Sequence, residues 1–150
     1  MVFDLKFPPQ ETIKLLANYL SFIVLKNDQR SDTQRNLTRF HARTIPSIDI
    51  VGYLTRILKY APCGTECELE LKLEGTFITK NSNPIVIDSF NIHRLIISAA
   101  LVSIKFLSDV FYTNLHISRV GGVPVVELNQ LELEFLKRCN FNLMVTPMEL

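Results

Sequence analysis

Two charged residues stand where the surrounding pattern is apolar. Lys105 is the only charge between Leu95 and Ser108, inside the run NIHRLIISAALVSIKFLSDV. Glu132 lies four residues past Leu128 and three before Phe135, at the edge of a second apolar face. Lysine stems can pack on apolar surface while the ammonium reaches water, which is one reading of Lys105. The other places its charge where a buried helix emerges at a partner surface, offered to an acceptor on another molecule. The groups able to do covalent or metal chemistry are Cys63, Cys67, Cys139, His41, His93 and His116. The cysteines form no CxxC pair and have no histidine at zinc-finger spacing, so no metal site is expected. None of these residues sits in a catalytic motif, and no glycine-rich phosphate loop is present, so no catalytic residue and no cofactor is assigned. Thiols left over in this way fit a reducing compartment, cytoplasm or nucleus.

The elements that must carry the two charges follow from periodicity. In residues 91–110 a stripe of Leu95, Ile96, Ala99 and Val102 is matched on the other side by Ile97, Leu101 and Ile104. A helix apolar all round is a buried one. Asp88 or Ser89 supplies its N-cap, and from 89 to 108 it would span about 30 Å, the width of a small domain. Other helices must wrap it. Ile13, Leu16, Leu20 and Ile23 predict a helix over 8–26 opened by Pro8-Pro9. The polar run Asn27–Asn36 reads as an exposed loop separating that helix from the main body. Ser47 can cap a helix from Ile48, ended by Pro62, with Val51, Leu54, Ile57 and Leu58 on its apolar side. A short helix over 112–120 stops at Gly121-Gly122, and Pro124 opens the last long helix, Val125 to Cys139, with Leu128, Leu131 and Phe135 on one face. Residues 66–78 leave two readings open. Glu68–Glu74 alternates charge and leucine at strand period, whereas leucine and glutamate favour helix.

Composition limits the class. A chain of 150 residues, 47% hydrophobic, is one domain with a real core. A net charge of +1 spread along the chain supplies no basic field for nucleic acid. Apolar runs such as Ala99–Val102 are far too short for a bilayer, and Met1-Val2-Phe3-Asp4 lacks a signal pattern, so a soluble protein with no membrane partner is expected.

The segments IPSIDIVGYLTRILKYAPC (45–63), NIHRLIISAALVSIKFLSDVFYTN (91–114) and VGGVPVVELNQLELEFLKRCNFNL (120–143) resemble the cyclin box of the phosphate-pathway type. That group comprises fungal phosphate-system cyclins and plant and protist P- and U-type cyclins. The likeness runs from Phe40 to Leu150, leaving 1–39 as an N-terminal helix and polar loop. It implies an all-α fold, five box helices around a buried third, plus the N-terminal helix. It also implies a non-catalytic regulatory subunit of a cyclin-dependent protein kinase. In the family a lysine late in the third box helix and a glutamate in the fifth clamp the kinase's mobile helix; Lys105 and Glu132 match those positions. Phe106 and Asp109 belong to the same KFLSD motif and join the candidate set, and His93 and Arg94 also match family positions, as fold support or partner contact. The chain departs from the pattern in the second box helix, where Glu74-Gly75-Thr76-Phe77 replaces the expected Asp-Arg brace. It runs out at Leu150, which fits a single box. A cyclin-box adaptor or scaffold of the transcription type, without a kinase, is the alternative; a basic surface stripe would favour it. Oligomeric state is left open.

Overall fold

The computed structural model describes residues 9–29, 38–62, 86–107 and 111–138, and every element among them is helical. They are α1 (Pro9–Asp28), α2 (Ile50–Tyr60), α3 (Ile92–Leu107), α4 (Asn114–Gly121) and α5 (Val125–Arg138). The segment 66–78, all three cysteines and Asp109 lie outside the described residues.

α3 is the axis of the molecule. Ile92, Leu95, Ile96, Ile97, Ala99, Ala100, Leu101, Val102 and Ile104 are all buried, on every side of the helix. α2, α4 and α5 pack against it, and α1 lies on α2. Two serines are buried in α3 as well; Ser98 Oγ donates to the Arg94 carbonyl one turn back at 2.6 Å, which satisfies its hydroxyl without a partner helix. The all-round apolar pattern therefore does mark the core helix, and the fold is all-α.

The start of α3 differs from the expected position. Asp88 Oδ1 accepts the backbone N–H groups of Phe90 (2.9 Å) and Asn91 (3.1 Å), so it does cap the chain here. It does so by closing residues 89–91 into a turn, with the Asn91 side chain returning bonds to Asp88 N and the Val86 carbonyl. The regular helix begins only at Ile92. The start of α2 also moves. Ile48 is outside the helix because its carbonyl is taken by His93 at 2.7 Å, and Asp49 rather than Ser47 is the N-cap, its carboxylate accepting the Gly52 N–H at 2.8 Å.

Asn27 and Asp28, expected in an exposed loop, are the last turn of α1. Their side chains explain why. Asn27 donates to the Ile87 carbonyl at 2.8 Å and Asp28 accepts the Ser89 N–H at 3.2 Å, tying the helix end to the segment that leads into α3. At the other end of α2, His116 Nε2 on α4 donates to the Tyr60 carbonyl (2.8 Å), and just beyond both helices the Tyr112 hydroxyl donates to the Pro62 carbonyl (2.9 Å), with the two rings stacked. Among the described residues no helix is long and apolar enough to cross a membrane.

The paired glycines divide their labour. Gly121 is still helical, and Gly122 is the left-handed stop at φ 67°, its N–H bonded to the Ser118 carbonyl. A Cβ at Gly122 would meet open space, so only the backbone term acts on substitution. Gly122→Ala is expected to cost about 1 kcal/mol. A thermal melt should show a fall of roughly 2–4 °C.

Candidate functional site

Lys105 and Glu132 meet. Lys105 stands in the last turn of α3, where the helix carbonyl end favours a cation. Its ammonium donates to both carboxylate oxygens of Glu132 on α5, at 2.8 and 2.7 Å. These are short, charge-assisted bonds. The two side chains are 31% and 18% exposed, so the pair is partly open to solvent. A pair this exposed contributes at most about 1 kcal/mol to folding. Stability is therefore a thin reason for placing two charges on the seam between the most apolar helix and α5.

Asn114, the first residue of α4, completes the arrangement. Its amide donates to Asn129 Oδ1 at 2.7 Å and lies 3.5 Å from Glu132 Oε2, so α3, α4 and α5 converge on one carboxylate. α4 is placed for this by the Thr113 N-cap, whose hydroxyl accepts the His116 N–H at 3.1 Å. Leu115 and Leu133, next in the chain to Asn114 and Glu132, are exposed, as is Phe111 before α4. Phe106 follows Lys105 in α3, and its side chain, like Asp109, is outside the described residues.

The other family-matched residues, His93 and Arg94, make contacts within the fold. His93 is buried, edge-on to the Tyr53 ring. Since a carbonyl can only accept, His93 Nε2 carries the proton it shares with Ile48 O, leaving a buried Nδ1 with no partner among the described residues. Burial pushes its imidazole below the ordinary histidine range, against the opposing pull of the Ile48 bond and the Asp49 charge. Arg94 spans two elements, donating to the Arg39 carbonyl at 3.3 Å and to Glu127 on α5 at 3.2 Å. His41 has the Thr38 hydroxyl 3.0 Å from Nδ1 and an Asp88 oxygen 3.5 Å from Nε2, which looks like a proton relay. However, Nδ1 also accepts the Thr38 backbone N–H at 2.9 Å, and the Asn91 amide nitrogen lies 3.3 Å from Nε2. The array ties the segment before α2 to the start of α3. No group of His, Cys, Asp or Glu among the described residues is placed to hold a metal ion.

Comparison with known proteins decides the family. The family model described as cyclin matches residues 12–143, taking in most of α1 and every later helix. The chain belongs to the cyclin family. Among this cyclin's relatives, PHO85 cyclin-7 of Saccharomyces cerevisiae is 35% identical over 167 residues, covering 96% of this chain and 59% of the relative. Cyclin-U4-1 of Arabidopsis thaliana is 38% identical over 138 residues, covering 90% of this chain and 68% of the relative. Cyclin-P4-1 of Oryza sativa subsp. japonica is 33% identical over 141 residues, covering 90% and 66%. The cyclin thus spans about three fifths to two thirds of the length of these relatives. They are the PHO85, U and P types that the motifs around Lys105 and Glu132 resemble.

Proposed function

We propose that this cyclin is the regulatory subunit of a cyclin-dependent protein kinase and docks on the kinase's mobile helix through the face centred on Lys105 and Glu132. The observation that carries the reading is the bidentate contact between them, an ion pair held at the seam of α3 and α5 and partly open to solvent. A protein kinase is active only when an ion pair between a strand lysine and a glutamate on its mobile helix is assembled, so the position of that helix sets the activity. A partner that binds the inward position better than the outward one shifts the population by its difference in affinity for the two. No catalytic group of the cyclin takes part. Exposed apolar residues such as Leu115 and Leu133 supply contact area, and the two charges fix the register, Lys105 toward acceptors and Glu132 toward donors of the kinase. A near-neutral net charge supports a protein partner over nucleic acid. Cytoplasm or nucleus is where such a partner would be met.

Titration of a phosphate-pathway cyclin-dependent kinase with wild type, Lys105→Ala and Glu132→Ala tests the reading. Because the pair is partly solvated, each truncation is expected near the low end of the cost of unpairing an interface charge, about 2 kcal/mol or roughly a thirtyfold rise in Kd. Melting temperatures should change little. Unchanged affinity in both variants would remove the pair from the interface.

A further inference from the structure

α1 carries two apolar faces. Ile13, Leu16, Ala17 and Leu20 are buried in the core shared with α2. On nearly the opposite side Leu15 (60% exposed), Tyr19, Phe22 (65% exposed) and Leu25 are open. Leu15, Phe22 and Leu25 follow the three-and-four spacing of a helix–helix seam, with Tyr19 on its flank. Single exposed apolar residues are ordinary, but an aromatic-containing row over residues 15–25 of a 20-residue helix is a continuous apolar face of the kind that partners cover.

The charges at the two ends of the row identify its occupant. Glu11 lies at the N-terminal end of this face and Lys26 at the C-terminal end, and both are exposed. Turn a copy of α1 antiparallel about a two-fold axis between residues 18 and 19. Glu11 then faces Lys26 of the copy, Leu15 faces Phe22, and Asn18 faces Tyr19, each pair occurring twice. The face is complementary to itself, as a two-fold interface requires. We propose that this cyclin forms a homodimer through antiparallel pairing of α1, sealed by Leu15 and Phe22 and placed in register by Glu11 and Lys26. The seam between the ionic ends is about 22 Å long at 1.5 Å per residue, which puts the contact at the small, reversible end of interface sizes. It uses a different helix from the Lys105–Glu132 face and does not depend on kinase binding.

Sedimentation equilibrium of the full chain over a concentration series tests it. Wild type is expected to show a reversible monomer–dimer equilibrium, and Phe22→Asp to remain monomeric over the same range with an unchanged circular dichroism spectrum. Lys26→Glu places two carboxylates at each end and should raise the dimer Kd about tenfold, while Glu11→Lys combined with Lys26→Glu should restore it. Should Phe22→Asp lose its helical spectrum, Leu15→Gln carries the same test. Monomeric wild type throughout would overturn the proposal, as would a dimer indifferent to Phe22→Asp or one that the reversed pair fails to restore. A monomer whose Phe22→Asp variant binds a cyclin-dependent kinase more weakly would assign the face to the kinase instead, and would equally overturn it.

Discussion

Gly121→Ala should lower the unfolding free energy by about 2–4 kcal/mol, several times the effect of the same substitution one residue later. A Cβ at Gly121 would sit 2.4 Å from Ile97 Cγ1 and 2.7 Å from Cδ1, and 3.1 Å from the Tyr53 hydroxyl. Ile97 is fully buried on α3, and Cγ1 is attached directly to the branched Cβ of a side chain stiff at χ1, so it cannot swing aside as a lysine tip would. Either α4 retreats from α3 or Ile97 leaves its rotamer. Retreat stretches a second contact, because the buried Tyr53 hydroxyl donates to the Gly121 carbonyl at 2.6 Å. Burial has already pushed that phenol above the ordinary tyrosine range, so its proton stays on and must find an acceptor. Steric overlap of this kind costs roughly 1–3 kcal/mol, and weakening a buried hydrogen bond adds about 1. Thermal and denaturant unfolding should show the Tm falling by about 10 °C with the denaturant slope unchanged. Combining Gly121→Ala with Ile97→Ala gives a sharper readout, since the new methyl partly fills the space the isoleucine leaves. The double variant should lose less than the sum of the single losses; strict additivity would mean that the clash is not with Ile97.

That site also shows where sequence reasoning stops. The pair Gly121-Gly122 reads as a helix stop, and Gly122 in its left-handed conformation is one. The need for glycine at 121 comes from a side chain on α3 and another on α2, and no local pattern contains either. The same division runs through the fold. The buried face of α1, the all-round burial of α3 and the Leu128, Leu131, Phe135 face of α5 were legible because burial and helical period act on the same residues. Helix starts were less so, since several residues near each boundary can cap. Asp49 prevails over Ser47 only because His93 takes the Ile48 carbonyl and holds residue 48 outside the helix. Lys105 and Glu132 stood out by contrast with apolar neighbours, and the cyclin-box motifs pointed to the same two residues. Asn114 did not, because α4 is polar and nothing in its spacing links residue 114 to 129 or 132. Arg94 matched a family position without revealing that its guanidinium would reach Glu127.

Exchanging the two charges, Lys105→Glu with Glu132→Lys, should leave the fold intact and abolish kinase binding. The pair as it stands is satisfied internally by bonds of 2.7 and 2.8 Å, so an alanine variant alone could weaken binding merely by loosening the junction of α3 and α5. The exchange separates these causes. A carboxylate on α3 and an ammonium on α5 can meet across the same gap. The fold loses only the favourable placement of a cation at the end of α3, about 0.3–1 kcal/mol, and the shortened stem at 105 is offset by the longer one at 132. A strut would therefore survive the exchange. A docking element would not, because kinase acceptors drawn to the ammonium would face a carboxylate, and donors drawn to Glu132 would face an ammonium. Like charges brought together in an interface cost several kcal/mol, so Kd should rise at least about a hundredfold, while each single reversal should also lower the Tm through an unmatched charge at the seam. Calorimetric titration beside thermal melts reads both quantities on the same samples. Near-wild-type affinity in the exchanged protein would make the pair an internal brace and move the docking face elsewhere; lost affinity with a Tm lowered by no more than about 4 °C is the result that only a contact with the partner produces.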